Sequence, residues 1–101
     1  MILKHKLMTA SGVVRGVPCY WGGCFRGNDR TNDGQYEIYD DVVANTARIV
    51  HPEQEDEATT KAQNGWTLGE HVIDMERGMY LAMSGTNAKI VFLYRDKTDC
   101  E

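Results

Sequence analysis

The sequence predicts a small α+β domain, in which a twisted antiparallel sheet of about five strands packs with one or two short helices. Three observations support this class. Short apolar or alternating runs near both ends of the chain are typical of strands, and turn-forming residues separate them. An acidic central stretch has residues that are typical of the two ends of a helix. A mostly β small barrel is the alternative. The chain has 101 residues, the size of one domain, and we expect residues 1–101 to form a single unit.

The first strand is predicted over residues 2–8, where apolar and charged residues alternate. A period of two places Leu3 and Leu7 on one face of the strand and Lys4 and Lys6 on the other. Lysine residues on an edge strand discourage pairing with other sheets, so we expect this strand near the edge of the sheet.

A tight β-hairpin is predicted between Val13 and Arg26. Gly22 and Gly23 would form its two-residue loop, because both glycines can adopt a positive φ without strain. The hairpin would expose aromatic side chains near its tip, and aromatic residues often anchor protein interfaces. They form one candidate protein-binding surface: Tyr20, Trp21 and Phe25.

The region after the hairpin begins with a polar loop over residues 27–35 and a short strand over residues 36–39. The next stretch is ambiguous. An aspartate can cap a helix over Asp41–Ala47, whereas the β-branched residues that extend to Val50 favour a strand. We interpret Asp41–Ala47 as a short helix.

The better formed helix is predicted over Pro52–Asn64. Pro52 suits the first helical position, and the acidic residues that follow it suit the positive end of the helix dipole. Asn64 and Gly65 suit a left-handed cap at the other end. Because the apolar residues of this helix are two alanines, it would pack only lightly against the sheet.

The last third of the chain is predicted to be rich in strands. Strands over residues 72–75 and 79–83 are separated by a turn near Arg77 and Gly78. The run Ala88–Arg95 has continuous apolar residues, which is typical of a central strand that is covered on both faces.

The composition is that of an ordinary globular protein, with 42% hydrophobic and 26% charged residues. Its longest apolar run, Ile90–Tyr94, is far shorter than the ~20 residues that a membrane-spanning helix needs. Lysines stand where a signal peptide would be apolar, so a cytoplasmic location is expected, in the host cell if a phage encodes the protein. Three cysteines, an odd number, suit free thiols in a reducing compartment.

Charge is distributed unevenly along the chain, whose net charge is −4. Residues 1–30 contain five basic residues and one acidic residue, and residues 31–57 contain eight acidic residues and one basic residue. Either pole can steer a charged partner over long range. The two poles can equally well neutralise each other inside the fold.

Cys19 and Cys24, with three isolated histidines, suggest a zinc site or a thiol nucleophile. Structural zinc normally takes ligands in closely spaced pairs, and the sequence lacks a second pair. A cysteine nucleophile needs an adjacent base, for which the sequence has no local signature. We therefore expect no cofactor, no metal and no catalytic residue, and a small zinc- or thiol-dependent enzyme is an alternative. The histidines are His5, His51 and His71, and the third cysteine is Cys100.

Nucleic-acid binding is a second alternative, because single-strand binders combine basic side chains with stacking aromatic rings. The first third of the chain contains both, although a pI near 5.3 is unusual for a dedicated binder. The basic residues that would contact phosphates are Lys4, Lys6, Arg15, Arg26 and Arg30.

The main functional prediction is a non-enzymatic protein that acts through protein–protein contacts. Small acidic domains of this size are common among the inhibitors that phages and mobile elements direct against host defence complexes. An acidic surface would meet a basic, nucleic-acid-binding surface on the partner. Pairing of edge strands into a homodimer is a further expectation. The acidic candidates are Asp40, Asp41, Glu53, Glu55, Asp56 and Glu57.

Overall fold

The computed structural model describes residues 3–27, 34–56, 63–67 and 72–97, with residues 51–56 and 63–67 described as backbone only. These residues form nine strands and one turn of 3₁₀ helix, Thr46–Arg48. The strands are β1 (Lys4–Met8), β2 (Gly12–Arg15), β3 (Cys19–Gly27), β4 (Gly34–Tyr39), β5 (Ile49–Asp56), β6 (Gln63–Thr67), β7 (Ile73–Met75), β8 (Met79–Ser84) and β9 (Lys89–Asp96).

The strands form two antiparallel sheets. Sheet A has the order β1-β9-β3-β6, and the short strand β7 also pairs with β3. Sheet B has the order β2-β8-β4-β5. The predicted first strand is confirmed as β1, and the predicted central strand is confirmed as β9, which pairs with β1 on one side and β3 on the other.

One apolar cluster between the sheets holds them together. Sheet A contributes side chains such as Trp21 and Phe92, and sheet B contributes side chains such as Tyr36, Ile38 and Leu81. All of these residues are buried. The two sheets therefore pack face to face, and each has an inner face toward this cluster and an outer face away from it.

The prediction of an α+β fold is wrong, because the structure is nearly all β. The predicted helix over Pro52–Asn64 is replaced by β5, which ends at Asp56, and by β6, which begins at Gln63. A helix there would have buried little more than two alanines, whereas the strands complete hydrogen-bonded ladders with β4 and β3. No helix among the described residues is long and apolar enough to span a membrane.

The predicted helix over Asp41–Ala47 is also wrong, since this segment is a turn that leads into the 3₁₀ helix Thr46–Arg48. The Asp41 carboxylate accepts hydrogen bonds from the backbone N–H of Val42 and from the side-chain amide of Asn45, at 2.7 and 3.0 Å. Short polar side chains that bond the nearby backbone stabilise turns at the expense of helices.

The predicted hairpin around Gly22 and Gly23 is wrong as well, because β3 runs through both glycines without turning. Between Trp21 and Gly23 the register against β9 shifts by one residue, which is a β-bulge at Gly22. Gly23 has a φ of 127°, and the indole Nε1 of Trp21 donates a hydrogen bond of 2.8 Å to its carbonyl. The glycine pair therefore bends a central strand.

The two glycines of the bulge should respond differently to substitution. Gly23→Ala forces a side chain into a left-handed conformation, so we expect the free energy of unfolding to fall by about 1–3 kcal/mol. Gly22→Ala is the matched control, because its Cβ would meet only the flexible end of Leu3. We expect a loss below about 1 kcal/mol there. Urea unfolding followed by circular dichroism measures both, and equal losses would contradict this account of the bulge.

Candidate interaction surface

The bulge decides which side chains of β3 reach the core. Before it, Cys19 and Trp21 lie on the inner face of sheet A and Tyr20 on the outer face. The extra residue resets the alternation, so that Cys24 is again buried and Phe25 lies outside. The three aromatic residues that the sequence placed together are thereby separated, because Trp21 faces the core while Tyr20 and Phe25 lie on the outer face.

An apolar row crosses the outer face of sheet A at its centre. In register, Leu7 of β1 pairs with Val91 of β9, and Val91 pairs with Phe25 of β3. Leu7 is 54% exposed and Phe25 is 50% exposed, although both are large hydrophobic side chains. Paired residues on neighbouring strands share a face of the sheet, so these side chains form one continuous surface.

A second row lies beside the first. Leu93 of β9 pairs with His5 of β1 and with Gly23 of β3. The end of the Leu3 side chain covers Gly22, where a methyl group would approach the Leu3 Cδ1 atom to 2.6 Å. The two rows together form what we call the apolar stripe, defined as Leu3, Leu7, Phe25, Val91 and Leu93.

Cationic side chains stand at both ends of the apolar stripe. At one end Lys89 is exposed and pairs with Gly27. At the other end Arg95 pairs with Tyr20, and its guanidinium carbon lies 5.4 Å from the centre of the Tyr20 ring. The Lys97 ammonium lies 5.4 Å from the same ring and forms an ion pair with Asp74, whose hydrogen bond raises the pKa of Lys97.

The basic residues proposed for nucleic-acid binding are not gathered on this face. Lys4 and Arg15 form ion pairs with Asp96, at 3.6 and 2.5 Å, and Lys6 donates a hydrogen bond to the carbonyl of Val14. Arg26 is only 4% exposed and packs over the Tyr36 ring. Arg30 lies outside the described residues.

Two of the acidic candidates, Asp40 and Asp41, are each 8% exposed and bonded within the protein. Asp40 forms an ion pair of 2.6 Å with Arg48 and accepts a hydrogen bond from the backbone N–H of Arg77. Burial alone would raise the pKa of Asp40, but hydrogen bonds from the backbone of Arg77 and Glu76 and from Arg48 hold it below its usual value. These two carboxylates connect loops of the fold.

Three other acidic candidates, Glu53, Glu55 and Asp56, belong to β5 and so to the edge of sheet B. Glu55 pairs with Gln35 and Asp56 with Gly34. Their strand lies in the other sheet from the apolar stripe, and Glu57 lies outside the described residues.

The cysteines and His5 lie on opposite faces of sheet A. Cys19 and Cys24 are buried free thiols on the inner face, and burial raises the pKa of Cys19 to about 11. At neutral pH Cys19 is therefore protonated and a poor nucleophile. The described residues contain no group of three metal-ligating side chains, and His71 and Cys100 lie outside them.

Sequence reasoning missed most of the apolar stripe. The alternation predicts the two faces of β1, but the lysine side of the strand turns toward the second sheet, where Lys6 donates a hydrogen bond to the Val14 carbonyl. The apolar run of β9 predicts a strand covered on both faces, whereas Val91 and Leu93 are only half-buried. The one signal in the sequence is the alternation itself, which places Leu3 and Leu7 together on the face opposite Lys6.

Comparison of the chain with known protein families, with characterised proteins and with solved structures finds no match.

Proposed function

We propose that this protein is a binding protein that acts through protein–protein contacts, and that the outer face of sheet A is its binding surface. The observation that carries the proposal is the row Leu7, Val91 and Phe25, which crosses three paired strands and ends in side chains at least half exposed. Exposed apolar side chains that adjoin one another mark interaction surfaces more often than isolated ones do.

The backbone beneath this row supports the same function. Val91 lies in the middle of β9, which is hydrogen-bonded to a strand on each side, and Phe25 lies in β3, which pairs with β9 and β6. Side chains held on a paired sheet need little ordering when a partner binds, which lowers the entropic cost of association. A surface with an apolar centre and a charged rim has the usual anatomy of a protein interface.

A protein partner fits this face better than a nucleic acid. Four of the five residues in the apolar stripe are aliphatic and offer no ring for a base to stack on. The Tyr20 ring already contacts the cations of Arg95 and Lys97. Phe25 is then the remaining exposed aromatic ring among the described side chains of this face.

The acidic surface of an inhibitor stays a prediction, now carried by Glu53, Glu55, Asp56 and Glu57, because Asp40 and Asp41 are bonded internally. Reversing these four residues to lysine should abolish binding to a basic partner without unfolding the domain. Binding that survives the reversal would rule out this acidic stretch as the contact surface.

Leu7→Asp and Phe25→Asp, combined in one variant, should reduce binding at least tenfold, because burying an unpaired carboxylate at an interface is costly. Val13→Asp is the matched control, since Val13 is a 40% exposed apolar residue on an edge strand of the other sheet. The measurement is affinity capture from lysate with each immobilised variant, after thermal unfolding has shown that all three proteins are folded. Proteins captured by the wild type and by Val13→Asp, but not by the double variant, support the proposal. Equal capture by the double variant would overturn it.

A further inference from the structure

We infer that a groove on the outer face of sheet B binds a guanidinium group. The groove has a volume of about 150 Å³, which is room for several water molecules or one small polar group. This site is independent of the function proposed above, because the outer faces of the two sheets lie on opposite sides of the apolar cluster. The groove is lined by Ser11, Gln35, Glu37, Ala82, Met83 and Ser84.

The groove results from strand alternation and from one small side chain. Gln35 and Glu37 alternate on β4 with buried core residues, so both lie on the outer face of sheet B. On β8, Ala82 pairs with Glu37 and Ser84 pairs with Gln35. Because Ala82 has a single methyl group, it leaves a depression among larger side chains on this face.

The Glu37 carboxylate is held in place at this groove. Glu37 is half-buried, and its Oε2 atom accepts a hydrogen bond of 2.8 Å from the hydroxyl of Tyr39, which is 3% exposed. A carboxylate can accept about four hydrogen bonds, so this contact leaves acceptor capacity for a ligand. Among the described residues Glu37 forms no ion pair, and the partner of its negative charge is a neutral hydroxyl.

Two serine hydroxyls add further acceptors beside the carboxylate. The Ser84 hydroxyl donates to the Gln35 Oε1 atom at 3.1 Å, and its oxygen retains lone pairs that can accept. The Ser11 hydroxyl donates to the Met83 carbonyl at 3.0 Å and accepts from the Met83 N–H at 2.8 Å, which fixes its position. The described residues that line the groove include no lysine, arginine or histidine. The site is therefore rich in acceptors and has one negative charge.

These properties favour an organic cation over other classes of ligand. An anion would be repelled by Glu37, and a neutral ligand such as a sugar would cover the carboxylate without balancing its charge. A metal ion needs several ligands close together, and the described part of the chain contains no group of three metal-ligating side chains. The net charge of −4 also favours the approach of cations.

A guanidinium group fits this site better than an ammonium group. Its five N–H donors lie in a planar fork and can bond to a carboxylate and to neighbouring hydroxyls at once. It is also more weakly hydrated than an ammonium group, so less hydration is lost when it enters a groove with an alanine floor. The group can belong to a small molecule or to an arginine of a polypeptide, and the chemistry that the site recognises is the same.

The test is a titration with N-acetyl-L-arginine methylamide, followed by two-dimensional ¹⁵N–¹H NMR. We expect saturable shifts at the backbone amides of the groove, with a Kd of about 1–10 mM, because a few charge-assisted hydrogen bonds act in an open site. The matching citrulline derivative has nearly the same shape and no charge, and it should bind more weakly by about fivefold or more. The lysine derivative should bind more weakly by about twofold or more. Equal affinity for either derivative, or shifts confined to other surfaces, would overturn the inference.

Two variants of the groove locate the site. Glu37→Gln removes the charge and keeps an oxygen acceptor for the Tyr39 hydroxyl. It should weaken binding by about fivefold or more, while its melting temperature stays close to that of the wild type. Ala82→Leu fills the floor of the groove and should weaken binding to a similar extent with Glu37 intact, so it decides the question if Glu37→Gln does not fold. Wild-type affinity in Ala82→Leu, or in a folded Glu37→Gln, would overturn the site.

The control is the Leu7→Asp, Phe25→Asp variant, whose substitutions lie on the other sheet and should leave the affinity unchanged. Free L-arginine and a pentapeptide with one arginine among glycines distinguish the two sources of the group. Tighter binding of the free amino acid supports a small-molecule ligand, and tighter binding of the pentapeptide supports a polypeptide. Absence of binding by both would overturn the groove as a guanidinium site and leave the binding surface on sheet A standing, since capture from lysate tests that surface with other variants.

Discussion

Replacing Trp21 with alanine should lower the free energy of unfolding by about 3–5 kcal/mol, while replacing Phe25 with alanine should lower it by less than about 1 kcal/mol. Both residues are large aromatics, four positions apart on β3. Trp21 is 1% exposed and packs against Phe92, with ring centres 6.4 Å apart, whereas Phe25 is 50% exposed on the outer face.

Two losses combine at Trp21. Truncation leaves a cavity in the cluster between the sheets, and it removes the indole donor from the Gly23 carbonyl at the bulge. Trp21→Phe separates the two, since it preserves most of the apolar volume and removes only the donor. We expect it to cost about 1–3 kcal/mol.

Urea unfolding monitored by far-ultraviolet circular dichroism measures all three variants without relying on tryptophan fluorescence. The comparison also tests which face each residue occupies. Similar losses for Trp21→Ala and Phe25→Ala would mean that both side chains are buried, and the apolar stripe would then lack its aromatic member.

Acid should destabilise the fold through a small group of aspartates, and this is the second large effect. Asp96 is 5% exposed and accepts two hydrogen bonds from Arg15, at 2.7 and 2.5 Å. Those hydrogen bonds lower the pKa of Asp96, and hydrogen bonds from Asn45 and the Val42 backbone lower the pKa of Asp41. The pKa of Asp40 is lowered too, despite its burial.

The direction of the pH effect follows from these lowered pKa values. An unfolded aspartate has a pKa of about 4 and binds its proton before the folded one does. The stabilisation from these residues is therefore complete above about pH 4 and is lost as the pH falls through the lowered values. The melting temperature should be level near neutral pH and should decline steeply below about pH 4.

Asp96→Asn isolates one contribution. At pH 7 we expect it to lower the free energy of unfolding by about 1–3 kcal/mol, because Arg15 loses its charged partner. The variant should also show a shallower loss of stability in acid than the wild type. Glu76→Gln is the control, since its side chain is 69% exposed and its ion pair with Arg48 should contribute little. If Asp96→Asn lost stability in acid as steeply as the wild type does, Asp96 would not be a source of the acid sensitivity.

Several charged side chains that the sequence offers for binding a partner form ion pairs within the fold. Asp40 and Asp41 of the acidic middle are bonded to Arg48 in the same stretch and to Arg77 in the last third, and Arg15 of the first third is bonded to Asp96 in the last third. Each pole is thus partly neutralised, but these ion pairs do not join the two poles to each other. Lys89 and Arg95, the cationic residues at the ends of the apolar stripe, come from the last third of the chain, where residues 58–101 contain five basic and six acidic residues.

The sequence alone determined the strands whose evidence is local. Local sequence predicts the alternating strand β1, the apolar strand β9 and the turn at Gly78, which has a φ of 139°. Each depends on properties of adjacent residues: a period of two, continuous hydrophobicity, or a conformation that favours glycine.

Only the tertiary structure decided the remainder. The stretch after Pro52 has residues typical of helix ends, but a helix there would bury little apolar surface and so gain little stability. Pairing of β5 with β4 satisfies the backbone hydrogen bonds of this stretch within sheet B. The pair Gly22-Gly23 suits a turn and a bulge equally well, and the continuous ladder with β9 selects the bulge. That bulge sends Trp21 into the core and leaves Phe25 outside, because each added residue in a strand reverses the faces of all that follow. The candidate surface thus depends on register between strands distant in sequence, and short-range patterns in one chain do not specify that register.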